Sequence, residues 1–132
     1  MKQVSLQEKH KVDTQIKRFM IAGFSAVTMD TLVYFLLVQL YSPSLSKVLS
    51  FLCGTLVAYL LNKFWTFKKN SHSLSEVLKF IILYTSTLVV NVSVNALCLI
   101  YISSAKPIAF VIATGASTIL NFTGQKWWVF KK

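Results

Sequence analysis

The sequence has few charged residues and almost no acidic ones. Charged side chains make up 14% of its 132 residues, and only four residues are acidic, against 14 that are basic. In a soluble domain roughly a quarter of the residues are charged. A domain of this size still exposes much of its surface after folding, so these few charges could not cover it in water. With 55% hydrophobic residues, the chain needs lipid around it.

Patterns that carry catalytic chemistry are also missing. The two cysteines, Cys53 and Cys98, fall within apolar runs, where a thiol packs as a small hydrophobic group, and they indicate no disulfide framework. The sequence contains no glycine-rich phosphate loop, dinucleotide fingerprint, metal-ligand cluster or nucleophile with a neighbouring base. We therefore expect no enzyme activity, no catalytic residue, no metal and no cofactor.

Four long apolar runs are present instead. Each has at least the roughly 20 residues that an α-helix needs to cross about 30 Å of hydrocarbon. The runs cover residues 19–40, 48–67, 80–102 and 108–130. Short connections over 41–47 and 103–107 contain the turn residues Pro43 and Pro107. The sequence predicts an all-α membrane protein of four transmembrane helices.

The basic residues are concentrated on one side of the predicted membrane. Twelve of the 14 lie in the N-terminal segment 1–18, around the linker 68–79 or near the C-terminus, and only Lys47 and Lys106 lie on the other side. Because Lys and Arg favour the cytoplasmic side, we expect both termini and the linker in the cytoplasm, with the protein in the inner membrane. Basic residues placed between apolar runs also argue against nucleic-acid binding, despite the net charge of +10.

The two halves of the sequence repeat each other. Residues 63–69 (KFWTFKK) match residues 126–132 (KWWVFKK) at five of seven positions, with an offset of 63. Each repeat contains two predicted helices, so both halves cross the membrane in the same sense, as a parallel repeat. The predicted fold of the transmembrane domain, residues 19–132, is two parallel-repeat helical hairpins.

Asp30 is the only acidic residue within a predicted span. It lies about 16 Å along its helix, near the midplane, where a charge costs at least about 2.5 kcal/mol. We expect it to face protein or a groove, either in an interhelical hydrogen bond or in a functional role. Phe19, Gly23 and Ala26 share its helix face, and the small residues predict close contact with another helix.

Helices three and four each carry a polar stripe. Asn91, the repeat equivalent of Asp30 at an offset of 61, lies between Thr87 and Asn95 on one face of helix three. Helix four carries polar residues at a comparable spacing, namely Thr114, Thr118, Asn121 and Gln125. Two readings fit these stripes. They form hydrogen bonds that join helices, or they form the walls of a polar groove.

Lys63 and Lys126 are repeat equivalents about 6 Å inside the ends of their helices, near Trp65 and Trp128. In one reading, each lysine snorkels to the headgroup layer. In the other, the two cations jointly bind one lipid phosphate.

Three motifs resemble the GtrA-like family: the Arg-Phe start at Arg18, the segment 59–67 (YLLNKFWTF) and the segment 121–130 (NFTGQKWWVF). The resemblance covers the chain from about Lys17 onwards. Members often carry Arg at the positions of Lys63 and Lys126, and Asn at that of Gln125. Lys binds phosphate as a point charge, without the planar fork of Arg.

The resemblance implies a four-helix membrane protein that moves a polyprenyl-phosphate-linked sugar to the outer leaflet. A glycosyltransferase then uses this sugar in cell-surface polysaccharide synthesis. The polyprenyl tail remains among the membrane lipids, so a groove suffices for phosphate and sugar, and a homodimer would complete it. The candidate substrate-binding residues are Asp30, Asn62, Lys63, Trp65, Asn91, Asn95, Asn121, Gln125, Lys126 and Trp128.

Two other functions fit part of the sequence. A non-transporting anchor or assembly factor for a glycosyltransferase would need interhelical packing but no polar groove. A small multidrug exporter also has four helices with one acidic residue in the first. Such exporters generally work as antiparallel pairs with little Lys/Arg bias, and the strong bias of this chain stands against that reading.

We predict that reporter fusions after Lys132 report a cytoplasmic location and that fusions within residues 41–46 report the opposite side. The asymmetry in basic residues is the reason. An external C-terminus, or equal populations of both orientations, would contradict the fixed topology and revive the exporter reading.

Overall fold

The computed structural model describes residues 2–101 and 106–131, without the side chains of 2–4, 43–44, 47, 106–107 and 110. The described residues form four α-helices and no strand, which confirms the all-helical prediction. The helices are α1 (Lys2–Leu37), α2 (Pro43–Leu60), α3 (Leu74–Tyr101) and α4 (Lys106–Gly124). The predicted end of helix three at residue 102, and most of the connection 103–107, lie outside the described residues.

Several helices have the length and composition of membrane spans. Among the described residues, three stretches qualify: Ser5–Leu37, Val48–Thr66 and Leu74–Tyr101. Many of their large apolar side chains are exposed, among them Phe24 at 75% and Ile100 at 72%. Since an apolar surface of this extent is unfavourable in water, the chain is a membrane protein with several apolar helices. That α4 also spans the membrane stays a prediction.

Helix α1 is much longer than the predicted span that starts at residue 19. Its 36 residues, Lys2–Leu37, form one continuous helix. Lys, Gln and Glu, which are frequent before residue 19, are good helix formers, so the helix continues through the polar segment. At 1.5 Å per residue its length is about 54 Å, well above the roughly 30 Å of hydrocarbon. Part of α1 therefore projects beyond the bilayer.

Helices α2 and α3 also begin earlier than predicted, because their start signals lie within the predicted loops. Ser42 caps α2 by accepting a hydrogen bond from the Leu45 N–H at 3.4 Å, and Pro43 occupies the first turn, where its missing N–H costs nothing. Before α3, Ser73 and Glu76 have the spacing of a capping box. The predicted turn over 41–47 is thus largely the first turns of α2.

The chain divides into two compact units, Met1–Asn70 and Ser71–Lys132. In the first unit, α1 and α2 are antiparallel neighbours in very close contact at Gly54. A Cβ added there would lie 2.7 Å from the Ala26 carbonyl oxygen and 3.0 Å from the Asp30 Cβ. A Cβ added at Gly23 would meet nothing within 4 Å. The predicted face of α1 does make the close contact, at Ala26 and Asp30, but Gly23 has no part in it, and the glycine that permits the approach is Gly54.

In the second unit, α3 and α4 are also antiparallel neighbours. Phe80 stacks on Tyr84, with ring centroids 4.4 Å apart, and its centroid lies 6.4 Å from that of Phe130. A Cβ added at Gly124 would meet the end of the Leu83 side chain at 2.5 Å. Each unit is therefore a helical hairpin, whereas the parallel orientation of the two repeats in the membrane stays a prediction.

We expect Gly54→Ala to destabilise the protein by about 1–3 kcal/mol, because the new Cβ would clash with the backbone of α1. Gly23→Ala is the matched control and should be neutral or slightly stabilising, because nothing lies close to it. Thermal unfolding of both variants in the same detergent measures the difference. Equal stabilities would contradict the close contact at Gly54.

Candidate functional site

The repeated Lys-aromatic motif has the same unusual backbone in both units. Helix α2 continues as a first π turn, Leu61–Thr66, and α4 as a second π turn, Gln125–Val129. The Phe67 N–H donates to the Asn62 carbonyl at 2.9 Å and the Phe130 N–H to the Gln125 carbonyl at 2.8 Å, each five residues back. Because π-helical turns are rare and frequently lie at functional sites, we take these two as the centres of the candidate site.

The first π turn is held by side-chain hydrogen bonds. Asn62 and Thr66 are almost completely buried, and the Thr66 hydroxyl donates to the Asn62 Oδ1 at 3.1 Å. From α1, the Arg18 Nη1 donates to the Trp65 carbonyl at 3.0 Å, and the guanidinium carbon lies 5.5 Å from the centroid of the Trp65 ring. Arg18 therefore ties α1 to the turn through both the backbone and the ring of Trp65.

The chain leaves the first π turn through a left-handed residue. Lys68 has a φ of 51°, and the Lys69 N–H donates to the Lys63 carbonyl at 2.8 Å. This pattern closes the end of a helix, usually with Gly at the left-handed position. A lysine there costs roughly 1 kcal/mol. The bond to the Lys63 carbonyl fixes the backbone that carries the Lys63 side chain.

Lys63 is buried in this turn, with 2% of its surface exposed. Its Nζ lies 3.3 Å from the Tyr59 hydroxyl and donates to it. The same Nζ lies 5.5 Å from the Tyr59 ring centroid and 5.6 Å from that of Phe64, within the range of a cation–π contact. Tyr59 is one helical turn before Lys63, so a hydrogen bond and two ring contacts hold the ammonium against the turn. Both readings of Lys63, snorkelling and phosphate binding, stay predictions.

Lys126 has equivalent ring neighbours in the second π turn. Its Nζ lies 5.8 Å from the Phe122 ring centroid and 5.3 Å from that of Trp127. These residues are the repeat equivalents of Tyr59 and Phe64. Lys126 is half-buried and thus more accessible than Lys63. In each unit a cation therefore lies between the ring one turn before it and the ring that follows it.

Gln125 is the repeat equivalent of Asn62, but its environment differs. Its side chain is completely buried, at 0% exposure. Neither its Nε2 nor its Oε1 has a hydrogen-bond partner among the described residues. Leaving a buried carboxamide unpaired is costly, and most buried polar groups in proteins are paired.

Asp30 lies away from the π turns, in the contact between α1 and α2. The Ser50 hydroxyl donates to its Oδ1 at 2.6 Å, and Ser50 is completely buried. Gly54, one turn further along α2, packs against the same part of α1. Of the two readings of Asp30, this geometry favours the interhelical hydrogen bond.

The polar stripes of α3 and α4 pair with each other. The Thr87 hydroxyl donates to the Asn121 Oδ1 at 3.1 Å, and the Asn91 Nδ2 donates to the Ser117 hydroxyl at 3.0 Å. Asn95 is half-buried and takes no part in these two pairs. For Asn91 and Asn121 the contacts favour the reading in which hydrogen bonds join the helices.

The structure thus gathers only some of the predicted residues within each unit. Asn62, Lys63 and Trp65 share the first π turn, whereas Asp30 lies further along the hairpin. Gln125, Lys126 and Trp128 share the second π turn, and Asn91, Asn95 and Asn121 lie on the helices beyond it. Whether any of them binds substrate stays a prediction.

The sequence did not predict the partners Ser50 and Ser117 or the hydrogen bond from Arg18 to Trp65. A signal for Ser50 was available. Small residues recur on α2 at every fourth position and are buried, namely Ser46, Ser50, Gly54 and Ala58. Such a series marks the face that packs against another membrane helix.

Residues 18–130 match the protein family described as "GtrA/DPMS, transmembrane domain". The chain belongs to this GtrA/DPMS family. The match confirms the resemblance carried by the Arg18 start and by the two Lys-aromatic motifs.

A relative of this GtrA/DPMS-family chain is the "Uncharacterized membrane protein YwcD" of Bacillus subtilis (strain 168). The two are 22% identical over 120 residues, which cover 86% of this chain and 94% of the relative. The likeness therefore extends into both hairpins.

We expect Asp30→Asn to keep the stability of the wild type, because the amide oxygen can still accept the hydrogen bond from Ser50. Asp30→Leu removes the acceptor of a buried hydroxyl and should cost about 1–3 kcal/mol. Thermal unfolding measures both variants. If Asp30→Asn fully supports the transport that the family resemblance implies, a charge-dependent role of Asp30 is refuted. If this stable variant loses that transport, a purely structural role is contradicted.

Proposed function

We propose that the protein moves a polyprenyl-phosphate-linked sugar across the cytoplasmic membrane. The GtrA/DPMS assignment connects the chain with glycoconjugate synthesis in a membrane. The observation that carries the proposal is the pair of π turns, each of which holds one lysine between aromatic rings near a helix end. Lys63 and Lys126 are proposed to bind the phosphate of the substrate.

Side-chain cations rather than the helix backbone must supply the attraction to the phosphate. Both lysines lie near helix C-termini, where the partial negative charge favours a cation but opposes an anion by about 0.3–1 kcal/mol. A charge-assisted hydrogen bond contributes about 1.5–3 kcal/mol, so a lysine outweighs this repulsion. Away from water the attraction is stronger still, because the effective dielectric constant falls.

The rest of the molecule fits a substrate that is mostly lipid. A polyprenyl tail can remain against the exposed apolar side chains, and the partly exposed Trp65 and Trp128 suit the layer between headgroups and hydrocarbon. Only the phosphate and the sugar then need polar contacts. The proposal includes four spans with both termini in the cytoplasm, a homodimer, a glycosyltransferase that uses the sugar, and no chemical step in this chain.

A specific observation favours a second candidate, a non-transporting anchor or assembly factor for a glycosyltransferase. Thr87 pairs with Asn121 and Asn91 with Ser117, so these polar groups are already used in joining α3 to α4. A protein that only scaffolds an enzyme needs such packing and no substrate contact.

Liposomes that hold only this protein separate the two candidates. A fluorescent or labelled polyprenyl-phosphate sugar is placed in both leaflets, and an impermeant reagent measures how much of the inner pool becomes accessible with time. We expect faster exchange than in protein-free liposomes. Exchange at the protein-free rate, with the protein shown to be folded, would support the scaffold instead.

We predict that Lys63→Ala and Lys126→Ala each weaken binding of polyprenyl phosphate at least about tenfold, since each loses a charge-assisted contact. The Lys→Arg variants should preserve or improve binding. Lys11→Ala, on the exposed part of α1, removes the same charge elsewhere and is the control. Affinities in nanodiscs at several salt concentrations test this, and unchanged affinity in both Ala variants would refute the phosphate role.

A further inference from the structure

The two π turns satisfy their polar groups differently. In the first, the Asn62 amide oxygen accepts from the Thr66 hydroxyl, and the Lys63 ammonium donates to the Tyr59 hydroxyl. The repeat equivalents of Thr66 and Tyr59 are Val129 and Phe122, which have no hydroxyl group. The second turn therefore keeps the amide and the cation but lacks both internal hydroxyl partners.

Gln125 is the group that this difference leaves without a partner. Its side chain is completely buried, and both amide atoms lack a hydrogen-bond partner within the described part of the chain. Replacing Thr66 by Val129 at the equivalent position removes the hydroxyl while the amide is retained. A buried amide without a hydrogen-bond partner destabilises the ligand-free protein. Its presence is explained if a bound ligand supplies that partner.

The chemistry of the unpaired amide limits what that partner is. The Nε2 group donates hydrogen bonds and the Oε1 atom accepts them. An ionised phosphodiester has only acceptor oxygens, so it would leave the Oε1 unpaired. A sugar hydroxyl both donates and accepts, so neighbouring hydroxyls can pair with both amide atoms.

We propose that Gln125 binds hydroxyl groups of the sugar in the lipid-linked substrate, while the equivalent Asn62 serves to hold the first π turn together. This inference rests on the proposed function, in which Lys126, the next residue in the second turn, binds the phosphate. The two halves of the repeat then have different tasks. The second hairpin binds the sugar through Gln125.

Ligand access requires the packing around the second turn to open. Gly124, just before Gln125, packs against the terminal methyl groups of Leu83 rather than against backbone. Because this contact next to Gln125 is made by the end of a side chain, we expect it to yield more easily than a backbone contact would.

The test compares two lipids in nanodiscs, a polyprenyl phosphate and the same polyprenyl phosphate carrying a hexose. Gln125→Met keeps the length of the side chain but removes both polar groups. We expect it to lower the affinity for the hexose-bearing lipid about tenfold, to leave that for the bare phosphate lipid unchanged, and to raise or preserve the melting temperature without lipid. Thr66→Val is the matched control. It should lower the melting temperature, because Asn62 loses its partner, without changing the ratio of the two affinities.

A folded Gln125→Met variant with an unchanged ratio of affinities would overturn the inference. If that variant does not fold, the side-chain amide signal of Gln125 in ¹⁵N-glutamine-labelled wild type decides. It should shift with the hexose-bearing lipid and not with the bare one, and no shift would overturn the proposal. Failure of the proposed function gives another result in the same experiment, because the wild-type protein would then bind neither lipid. If Lys126→Ala weakens binding of both lipids and Gln125→Met changes neither, only the sugar role fails.

Discussion

In lipid, each backbone N–H and C=O must find its hydrogen-bond partner within the protein, and the rest of this structure depends on that constraint. The constraint explains why the described residues are helical almost throughout. It also explains why hydrogen bonds close the ends of the two π turns. Each is closed by a hydrogen bond that reaches five residues back, from Phe67 to Asn62 and from Phe130 to Gln125. At the first turn, Arg18 in addition binds the carbonyl of Trp65.

Side-chain hydrogen bonds then set how the helices of each hairpin align. Asp30 with Ser50 aligns α1 and α2, and Thr87 with Asn121 aligns α3 and α4. Apolar side chains alone specify the alignment poorly in lipid, because they contact lipid tails about as favourably as they contact each other. A polar pair inside the hairpin holds one register at a contribution of roughly 0.6–2 kcal/mol. Gly54 complements this by letting α1 and α2 approach closely.

The sequence predicted the features that depend on composition and spacing. Helical architecture follows from the length of the apolar runs, and the equivalence of Lys63 and Lys126 follows from the repeated motif, as their aromatic neighbours show. It did not predict the π turns, because a shift from i→i+4 to i→i+5 bonding has no residue signature of its own. That the close approach occurs at Gly54 and not at Gly23 depended on where along α1 the second helix packs most closely. The hydrogen bond of the Lys63 side chain depended on Tyr59, one turn away.

Helix α1 has a mechanical consequence of its own. It runs without a break from Lys2 to Leu37, so the segment outside the membrane is a stiff rod and not a flexible tether. The 17 residues before Phe19 extend about 25 Å as a helix. A partner bound near the tip would stand at a set distance from the bilayer and at a set angle around the helix axis. Arg18 and Asp30 belong to the same helix. A rotation of α1 imposed at its N-terminus would therefore change the contacts of both residues.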